Sequence, residues 1–276
     1  MENTKLHKAA ELHSSEEYKR LKGIIYRLAS TEMTTLSIDP SSAMCRRDKR
    51  CADQYSQYLQ SLYRISLDCL DSAIRLYDNE DKPIAAHAVL IRTAIECSSI
   101  GIWLLSAGKD QKAVFQTLKL LYNEAYNAAA VYKQFPDDDV SGMTKKLQKA
   151  YSDFHQDLDL YKDHDLTNPV KKYQLVENAD REYVKREKRK RYDGLWAWKA
   201  GSAITHGNTG MVSAISETFH LNERAEEGNK VGYMQPNMSM TVLLLLPAVE
   251  NMEQFFNRFV EQSSPTKRKT RRGINA

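Results

Sequence analysis

Apolar side chains recur at steps of three and four residues along most of the chain, which is the spacing of one face of an α-helix. The segments that carry this periodicity are approximately 14–30, 44–77, 83–107, 110–134, 141–161, 177–206 and 238–262. We therefore expect an all-α protein, a multi-helix bundle of about seven helices.

Residues with special backbone preferences mark several of the predicted helix ends. Pro83 suits the first turn of a helix, because the N–H that it lacks would have no partner there. Ser141 is a predicted N-cap. Gly108 and Gly207 are predicted C-terminal caps, since glycine accepts the left-handed conformation that often ends a helix.

The helical spacing is interrupted between residues 211 and 236. The segments MVSAISETFHL and KVGYMQPNM alternate between apolar and polar residues, and the polar segment NERAEEGN separates them. Such alternation on both sides of a glycine-containing turn is typical of a hairpin. We expect a short β-hairpin near 211–236 within the helical bundle.

Pattern and composition divide the chain into three predicted parts. These are an N-terminal helix and loop over 1–43, a helical-bundle domain over 44–262, and a basic, disordered tail over 263–276. Hydrophobic residues make up 42% of the 276 residues, which is enough to bury one large core or two modest ones. The 11 glycines and seven prolines are few for an all-β or α/β protein of this size, in agreement with the helical pattern.

The placement of apolar residues predicts a cytoplasmic protein without a membrane segment. The N-terminal residues MENTKLHKAAELHSSEE lack the apolar core of a secretory signal. Residues 84–105 approach the length of a membrane span, but His87, Arg92 and Glu96 interrupt them. The later run VLLLLPAV is too short to cross a bilayer.

Cysteine and histidine spacing gives no metal-binding pattern. The four cysteines, Cys45, Cys51, Cys69 and Cys97, have no C-x2-C spacing. Neither a zinc site nor a disulfide framework is therefore expected. We predict no metal and no cofactor.

Basic residues are concentrated in two runs. Five of them lie in the tail, and without these five the formal net charge falls from +4 to −1. Runs of this kind suit the phosphate backbone of RNA or DNA, because neutralising phosphates releases counterions, although many such runs are only solvated helix faces. The predicted nucleic-acid-binding residues are Lys185, Arg186, Lys188, Arg189, Lys190 and Arg191 in the first run, and Lys267, Arg268, Lys269, Arg271 and Arg272 in the tail.

Two polar motifs lie in strongly apolar helical segments. One is Arg92-x3-Glu96 within AAHAVLIRTAIECSSIGIWLL, and the other is Ser202-x3-His206 within YDGLWAWKAGSAITHG. Burying an isolated charge is costly, so these side chains need polar partners. We expect the four residues to meet if both helices face one core.

Two interpretations of this four-residue cluster stay open. As an active site, His206 would be a general acid or base and Arg92 would stabilise an anion such as a phosphate. Glu96 would orient one of them, and Ser202 would contact the ligand or act as a nucleophile. As a structural lock, Arg92 and Glu96 would be an ion pair that fixes the register between helices, and His206 would lie at a helix end that Gly207 caps.

The combination of R-x3-E and S-x3-H-G on apolar helices resembles a group of bacterial and phage helical domains of unknown function, which are loosely HEPN-like and of toxin or abortive-infection type. The resemblance spans about 45–260, and it implies a homodimer and possible ribonuclease activity. The ribonuclease spacing of HEPN proteins, Arg followed four to six residues later by His, is absent before His206, so Arg92 would have to supply the arginine. The residues that carry the resemblance are Arg92, Glu96, Trp103, Trp198, Ser202, His206 and Gly207.

Three functions remain open at this point. The first is a helical interaction or regulatory protein of a prokaryotic mobile-element or defence type, in contact with nucleic acid through the basic runs. The second is a HEPN-like, metal-independent ribonuclease that uses His206 and Arg92. The third is a small-ligand sensor whose pocket is the same cluster.

Overall fold

The structure is a computed structural model that describes residues 2–31, 33, 36–132, 138–187, 193–224 and 230–265. Within these ranges the chain forms ten helices and one two-stranded antiparallel sheet, so the predicted all-α class with a short hairpin is confirmed. The elements are α1 (Glu2–Ser30), α2 (Ala43–Asp48), α3 (Gln54–Asp78), α4 (Ala86–Leu105), α5 (Asp110–Tyr132), α6 (Asp138–Gln156), α7 (Lys172–Glu187), α8 (Asp193–Thr205), α9 (Thr209–Ala214), β1 (Ser216–Arg224), β2 (Lys230–Pro236) and α10 (Met238–Ser263).

The prediction of one continuous helix over 44–77 is wrong, because a tight turn separates α2 from α3. Ala52 and Asp53 in this turn have φ angles of 46° and 62°, in the left-handed region that a right-handed helix cannot contain. The Asp48 carboxylate accepts the backbone N–H of Ser56 at 2.9 Å across the turn. This bond ties the end of α2 to the first turn of α3.

Other differences from the prediction concern helix ends. Ser141 lies inside α6, which begins at Asp138, so Ser141 is not the N-cap. Gly207 is the glycine with a positive φ angle among the described residues, and Gly108 therefore does not cap α4 in the left-handed conformation. The segment 177–206, predicted as one helix or as two parts, contains most of α7 and all of α8, and residues 188–192 between them lie outside the described residues.

The hairpin is shorter than predicted, since residues 209–214 form α9 instead of the start of a strand. The two strands are antiparallel, with Phe219 opposite Tyr233, and their pairing register shifts between His220 and Arg224. The rings of Phe219 and Tyr233 stack at a centroid distance of 5.3 Å. A cross-strand aromatic pair of this kind stabilises a two-stranded sheet.

The described chain separates into two compact units. Unit 1 contains residues 1–33, 61–103 and 171–256, and unit 2 contains residues 34–60, 104–170 and 257–276. Three of the boundaries between the units fall within α3, α4 and α10, and the other two fall after residues 33 and 170. The predicted division into 1–43, 44–262 and 263–276 stays a prediction.

The core of unit 1 is formed by apolar side chains of α1, α3, α4 and α10. Its fully buried members include Leu21, Ile25, Ile91, Ile95 and Phe255. The Phe255 ring packs against Gly101, where an added Cβ would overlap the ring. The close approach of α4 and α10 in unit 1 therefore requires glycine at this position.

The core of unit 2 combines α2 and the first turns of α3 with α5, α6 and the end of α10. Its fully buried apolar residues include Met44, Leu59, Leu118, Leu158 and Phe259.

One helix among the described residues, α4, is long and apolar enough to cross a membrane by length and composition alone. Its mean hydropathy is 1.6, and 61% of the apolar window is buried inside the protein. The same properties are found in the central helix of a packed core.

Candidate functional site

Three of the four predicted site residues meet where α4 packs against α8 in unit 1. Arg92 donates from Nε to the Ser202 hydroxyl at 3.0 Å, and its Nη2 lies 2.9 Å from the Glu96 carboxylate. The i,i+4 spacing places Arg92 and Glu96 one turn apart on α4, and Ser202 faces them from α8. The expected meeting of the two polar motifs is therefore observed for these three side chains.

Trp198 of α8 completes the cluster. Its Nε1–H donates to Glu96 Oε2 at 3.0 Å, and the Arg92 guanidinium lies over its ring at 5.3 Å from the centroid. Lys172, at the start of α7, is 3.3 Å from the other Glu96 oxygen. Glu96 therefore receives charged or polar donors from three side chains, which lie on α4, α7 and α8.

The two helices approach closely because residue 201 is glycine. A Cβ at Gly201 would overlap the Cβ of Arg92 and would lie 3.0 Å from the carbonyl oxygen of Ala88. Glycine at this position allows α8 to lie against the α4 backbone at the level of Arg92. The distance between Arg92 and Ser202 is thus set by backbone packing.

His206, the fourth predicted residue, lies outside this cluster. It is exposed, and its backbone N–H donates to the Ser202 carbonyl at 3.1 Å at the end of α8. Gly207 follows with φ +76°, and its N–H donates to the Ile204 carbonyl at 2.9 Å. The Asn208 N–H reaches the Ala203 carbonyl at 3.0 Å, which completes a Schellman motif.

Among the described residues, no hydrogen bond, ion pair or ring contact joins the His206 imidazole to Arg92, Glu96 or Ser202. The imidazole is thus free to meet solvent, while the other three side chains bond to one another. The geometry agrees with the predicted position of His206 at a helix end that Gly207 caps.

The cluster is half-buried. The side chains of Arg92 and Glu96 are 25% and 15% exposed, and that of Lys172 is 45% exposed. Both Glu96 oxygens face donors of the protein, so a substrate could reach this carboxylate only by displacing one of them. The Arg92 guanidinium is fixed by its bonds to Ser202 and Glu96 and by its contact with the Trp198 ring. Such an arrangement holds α4 and α8 in fixed positions.

Asp180 on α7 anchors the start of α8. Its carboxylate accepts the backbone N–H of Leu195 at 2.8 Å, and it packs so closely on Gly194 that a Cβ there would overlap Oδ1. Burial raises the pKa of Asp180 to about 6, against the opposing effect of the backbone N–H groups of Leu195 and Gly194. Asp180 was not among the predicted site residues, because its position in a charge-rich helix resembles that of a solvated residue.

A second buried polar cluster lies in unit 2 and was also missed. Arg47 donates from Nε to Asp110 at 3.0 Å, from Nη1 to the Tyr55 hydroxyl at 2.7 Å and to Gln262, and from Nη2 to the Ala107 carbonyl at 3.2 Å. Only 5% of the Arg47 side chain is exposed. Arg47 lies three residues after Met44 and four residues before Cys51, and both of these residues are apolar. This helical spacing is the sequence signal that could have placed Arg47 on the buried face.

Asp110 also binds Arg46, whose Nε is 2.9 Å from the second carboxylate oxygen. Burial raises the pKa of Asp110, but the hydrogen bonds from Arg46 and Arg47 outweigh this effect, and the net shift is downward. The carboxylate therefore stays ionised to lower pH than an ordinary aspartate.

The predicted nucleic-acid-binding residues fall largely outside the described part of the chain. Lys185 is exposed on α7, and Arg186 belongs to the same helix. The remaining ones, Lys188, Arg189, Lys190, Arg191, Lys267, Arg268, Lys269, Arg271 and Arg272, lie outside the described residues. Nucleic-acid binding through the two runs stays a prediction.

Within the described ranges, no group of three or more His, Cys, Asp or Glu side chains is arranged to hold a metal ion. The four cysteines are free thiols. The polar cluster around Arg92 contains a single carboxylate, and the donors that surround it are two cations and an indole. Its chemistry is that of charge pairing, and it lacks the ligand set of a metal centre.

Comparisons with family models, curated proteins and solved structures find no match for this chain. The resemblance to HEPN-like domains therefore stays a prediction that rests on the motif residues of α4 and α8.

Proposed function

We propose that this chain is a helical interaction or regulatory protein of a prokaryotic mobile-element or defence type, in which the Arg92 cluster is structural. The observation that carries this proposal is the commitment of the Glu96 carboxylate to Arg92, Trp198 and Lys172 at 2.9, 3.0 and 3.3 Å. A carboxylate with donors on both oxygens has little free capacity for a substrate.

The position of His206 supports the same proposal. General acid–base catalysis needs the imidazole within hydrogen-bond reach of a positioned substrate or partner. His206 is exposed at the capped end of α8, and its backbone serves the helix terminus. A surface histidine in this place is compatible with a purely structural α8.

The test compares Arg92→Ala with His206→Ala, with His13→Ala as a control, since His13 is an exposed histidine on α1. For a structural cluster, Arg92→Ala lowers the melting temperature, while His206→Ala and His13→Ala melt like the wild type. None of the three changes cellular toxicity or RNA cleavage. Loss of cleavage or toxicity in His206→Ala, with an unchanged melting temperature, would contradict the proposal.

Contact with RNA or DNA through the two basic runs is a second part of the proposal. The seven basic and two acidic residues of 181–191 and the five basic residues of the tail supply the charge. Binding of a single-stranded oligonucleotide should weaken with salt by about 0.7 in log affinity per log salt for each phosphate contacted. Deleting residues 266–276 should reduce this slope, and an unchanged slope would remove the tail from the proposal.

A metal-independent ribonuclease is the alternative, and one observation favours it. The exposed His206 follows Ser202 by one helical turn, and Ser202 accepts a hydrogen bond from Arg92 at 3.0 Å. A phosphate at this end of α8 would meet the His206 imidazole one turn from Ser202, whose hydroxyl contacts the Arg92 guanidinium of α4. Cleavage of RNA in the presence of EDTA, abolished by His206→Ala and retained by His13→Ala, would establish this alternative.

A further inference from the structure

The indole of Trp196 on α8 is uncovered on the surface of unit 1. It is 43% exposed, whereas the next residue, Ala197, is buried. The large ring of tryptophan has a flat apolar face and a polar N–H at its edge, and such rings are enriched where proteins bind other molecules. The residues around Trp196 indicate which kind of molecule suits it.

Trp196 begins a stripe of α8 that points away from the packed face of the helix. The stripe continues through Lys199 and Ala203 to the exposed His206, at steps of three and four residues. The buried residues of α8 lie on the opposite side. A ligand can reach the Trp196 ring and the Lys199 ammonium group together, since the two residues are about 4.5 Å apart along the helix axis.

Helix α7 supplies further positive charge beside Trp196. The Asp180 carboxylate of α7 accepts the backbone N–H of Leu195, the residue before Trp196, at 2.8 Å. This bond places α7 next to the start of α8, and the exposed Lys185 follows Asp180 on the same helix. The surface around the ring therefore combines an aromatic face with basic groups that attract phosphates.

The described acidic groups near α8 are largely offset by positive charge. Between Asp193 and Glu217 the sequence contains no acidic residue. Asp193 lies in the first turn of α8, where the positive end of the helix dipole offsets part of its charge. Glu96, on the neighbouring helix α4, faces Arg92 and Lys172 at 2.9 and 3.3 Å, and two cations with one carboxylate give a net charge of +1.

We infer that Trp196 stacks on an unpaired base of a single-stranded nucleic acid, with Lys199 in contact with a phosphate of the same strand. The inference rests on the proposed contact with RNA or DNA, and it adds the type of strand and two residues that bind it. Aromatic rings beside positive charge bind single strands with little regard to sequence, because every base has a flat ring face. The bases of a duplex are stacked on one another, so their faces are closed to a side chain on a helix surface.

The composition of the stripe favours a base over an apolar partner. Trp196 is followed by Lys199 and Ala203, so the stripe offers the area of one ring and not an extended apolar face. A helix that lies on a membrane needs such a face along its length. A protein partner would bury a core of several large side chains. One stacked base matches the area of the Trp196 ring.

Fluorescence anisotropy of the full chain with a labelled oligothymidylate of about 20 nucleotides tests the stacking. Trp196→Ala and Trp196→Leu should each weaken binding about tenfold, whereas Trp196→Phe should stay within about threefold of the wild type because a phenyl ring also stacks. Tyr126→Ala is the matched control, since Tyr126 is an aromatic residue of unit 2 that is 62% exposed. The control should bind like the wild type, and circular dichroism should show the same helical content in every variant.

The salt dependence of the same binding tests the phosphate contact separately. Lys199→Gln should reduce the slope of log affinity against log salt by about 0.7, the value for one phosphate of a single strand. Trp196→Ala should lower the affinity at every salt concentration without changing the slope. Lys145→Gln, at an exposed lysine of α6 in unit 2, is the control and should leave both unchanged. An unchanged slope in Lys199→Gln overturns the phosphate contact.

The outcomes separate this inference from the proposed function on which it rests. Equal affinity of Trp196→Ala and the wild type, or tighter binding of a duplex than of the single strand, overturns the stacking and leaves contact through the basic runs intact. Absence of oligonucleotide binding by the wild type at low salt overturns both. Trp196-dependent binding to vesicles of phosphatidylcholine and phosphatidylserine, without oligonucleotide binding, would assign the ring to a membrane surface and would also overturn both.

Discussion

Two arginines, one in each unit, hold helices together under different degrees of burial. Arg92 in unit 1 is 25% exposed and bonds to Ser202 and Glu96, with Trp198 beneath its guanidinium. Arg47 in unit 2 is 5% exposed, and each of its three nitrogens has at least one acceptor in the protein. The exposed edge of Arg92 can also bond to water, whereas Arg47 depends entirely on its protein partners.

The burial of the two arginines is the reverse of what the sequence suggests. Arg92 stands out because it interrupts an apolar helix, yet it is the more solvated of the two. Arg47 lies in the polar run RRDKR and attracts no attention, yet it is the buried one. The charge of a segment therefore says less about burial than the helical phase of the residue relative to its apolar neighbours.

Replacing the buried arginine should have the largest effect on stability. Arg47→Ala leaves Asp110 with Arg46 as its remaining cation and deprives the Tyr55 hydroxyl of a donor, and it should lower the free energy of unfolding by about 3–5 kcal/mol because several buried bonds are lost together. Arg92→Ala should cost about 1–2 kcal/mol, because water can replace part of its bonds. Urea unfolding at pH 7 measures both values.

Arg46→Ala is the matched control for Arg47→Ala, since Arg46 binds the same carboxylate with a side chain that is 47% exposed. Its loss should cost less than about 1 kcal/mol. The comparison between the two clusters fails if Arg46→Ala or Arg92→Ala destabilises the protein as much as Arg47→Ala.

The next largest effect is expected in the pH dependence of stability, which should differ between the two units. Burial lowers the pKa of His87 on α4 to about 4, with a smaller opposing effect of the Pro83 backbone. The stability that comes from neutral His87 is fully present above pH 6.5 and is lost as the pH falls through about 4, in total about 3 kcal/mol. Asp180 has the opposite sign, because its raised pKa of about 6 gives stability below pH 4 that is lost as the pH rises through 6.

The two effects partly cancel in the wild type between pH 4 and 6. His87→Gln should therefore flatten the acid loss of stability, and Asp180→Asn should steepen it, in urea titrations from pH 4 to pH 7. In unit 2 the pKa of Asp110 is shifted downward, so this carboxylate titrates below the same range. Parallel pH profiles for both variants and the wild type would exclude this assignment.

Backbone packing around Arg92 can be tested without changing a charge. Gly201→Ala places a Cβ against the Arg92 side chain and 3.0 Å from the Ala88 carbonyl oxygen, and it should cost about 1–3 kcal/mol. Gly23→Ala on α1 is the control, because no atom lies within 4 Å of the added Cβ. The control should gain up to about 1 kcal/mol from helix propensity, and equal effects of the two substitutions would refute close packing at Gly201.

The smallest effect is expected at the end of α8. Gly207 has φ +76°, a conformation that costs alanine about 1 kcal/mol. Gly207→Ala should reduce stability by this amount without altering the Arg92 cluster. An unchanged near-ultraviolet tryptophan spectrum together with a small drop in melting temperature is the expected result. A spectral change that is absent from Trp198→Phe protein carrying the same Gly207→Ala substitution would mean that the cap also positions the cluster.

The helical class and most helix positions could be predicted because the apolar spacing of each helix is local and regular. The turn between α2 and α3 could not, since Ala52 and Asp53 have no strong preference for positive φ. That conformation is imposed by contacts such as the bond from the Ser56 backbone to Asp48, which form only when the chain is folded.

The candidate site was predicted in part for a similar reason. Arg92, Glu96 and Ser202 lie in apolar surroundings, where polar groups have to find one another. Helical spacing predicted that His206 and Ser202 lie on the same face of α8. It does not show which part of that face packs against α4, and His206 lies beyond the packed part. Trp198 and Lys172 were missed as partners because an indole N–H and a surface lysine become ligands of Glu96 only through the tertiary arrangement.

The contact of Gly101 with the Phe255 ring has a consequence for related sequences. A side chain at position 101 fits only if the residue at position 255 is smaller than phenylalanine, because both would occupy the same space between α4 and α10. Homologues of this chain should therefore show paired changes, with alanine or serine at 101 accompanied by a smaller residue than phenylalanine at 255. Such covariation would identify true relatives even where the polar motifs of α4 and α8 have diverged.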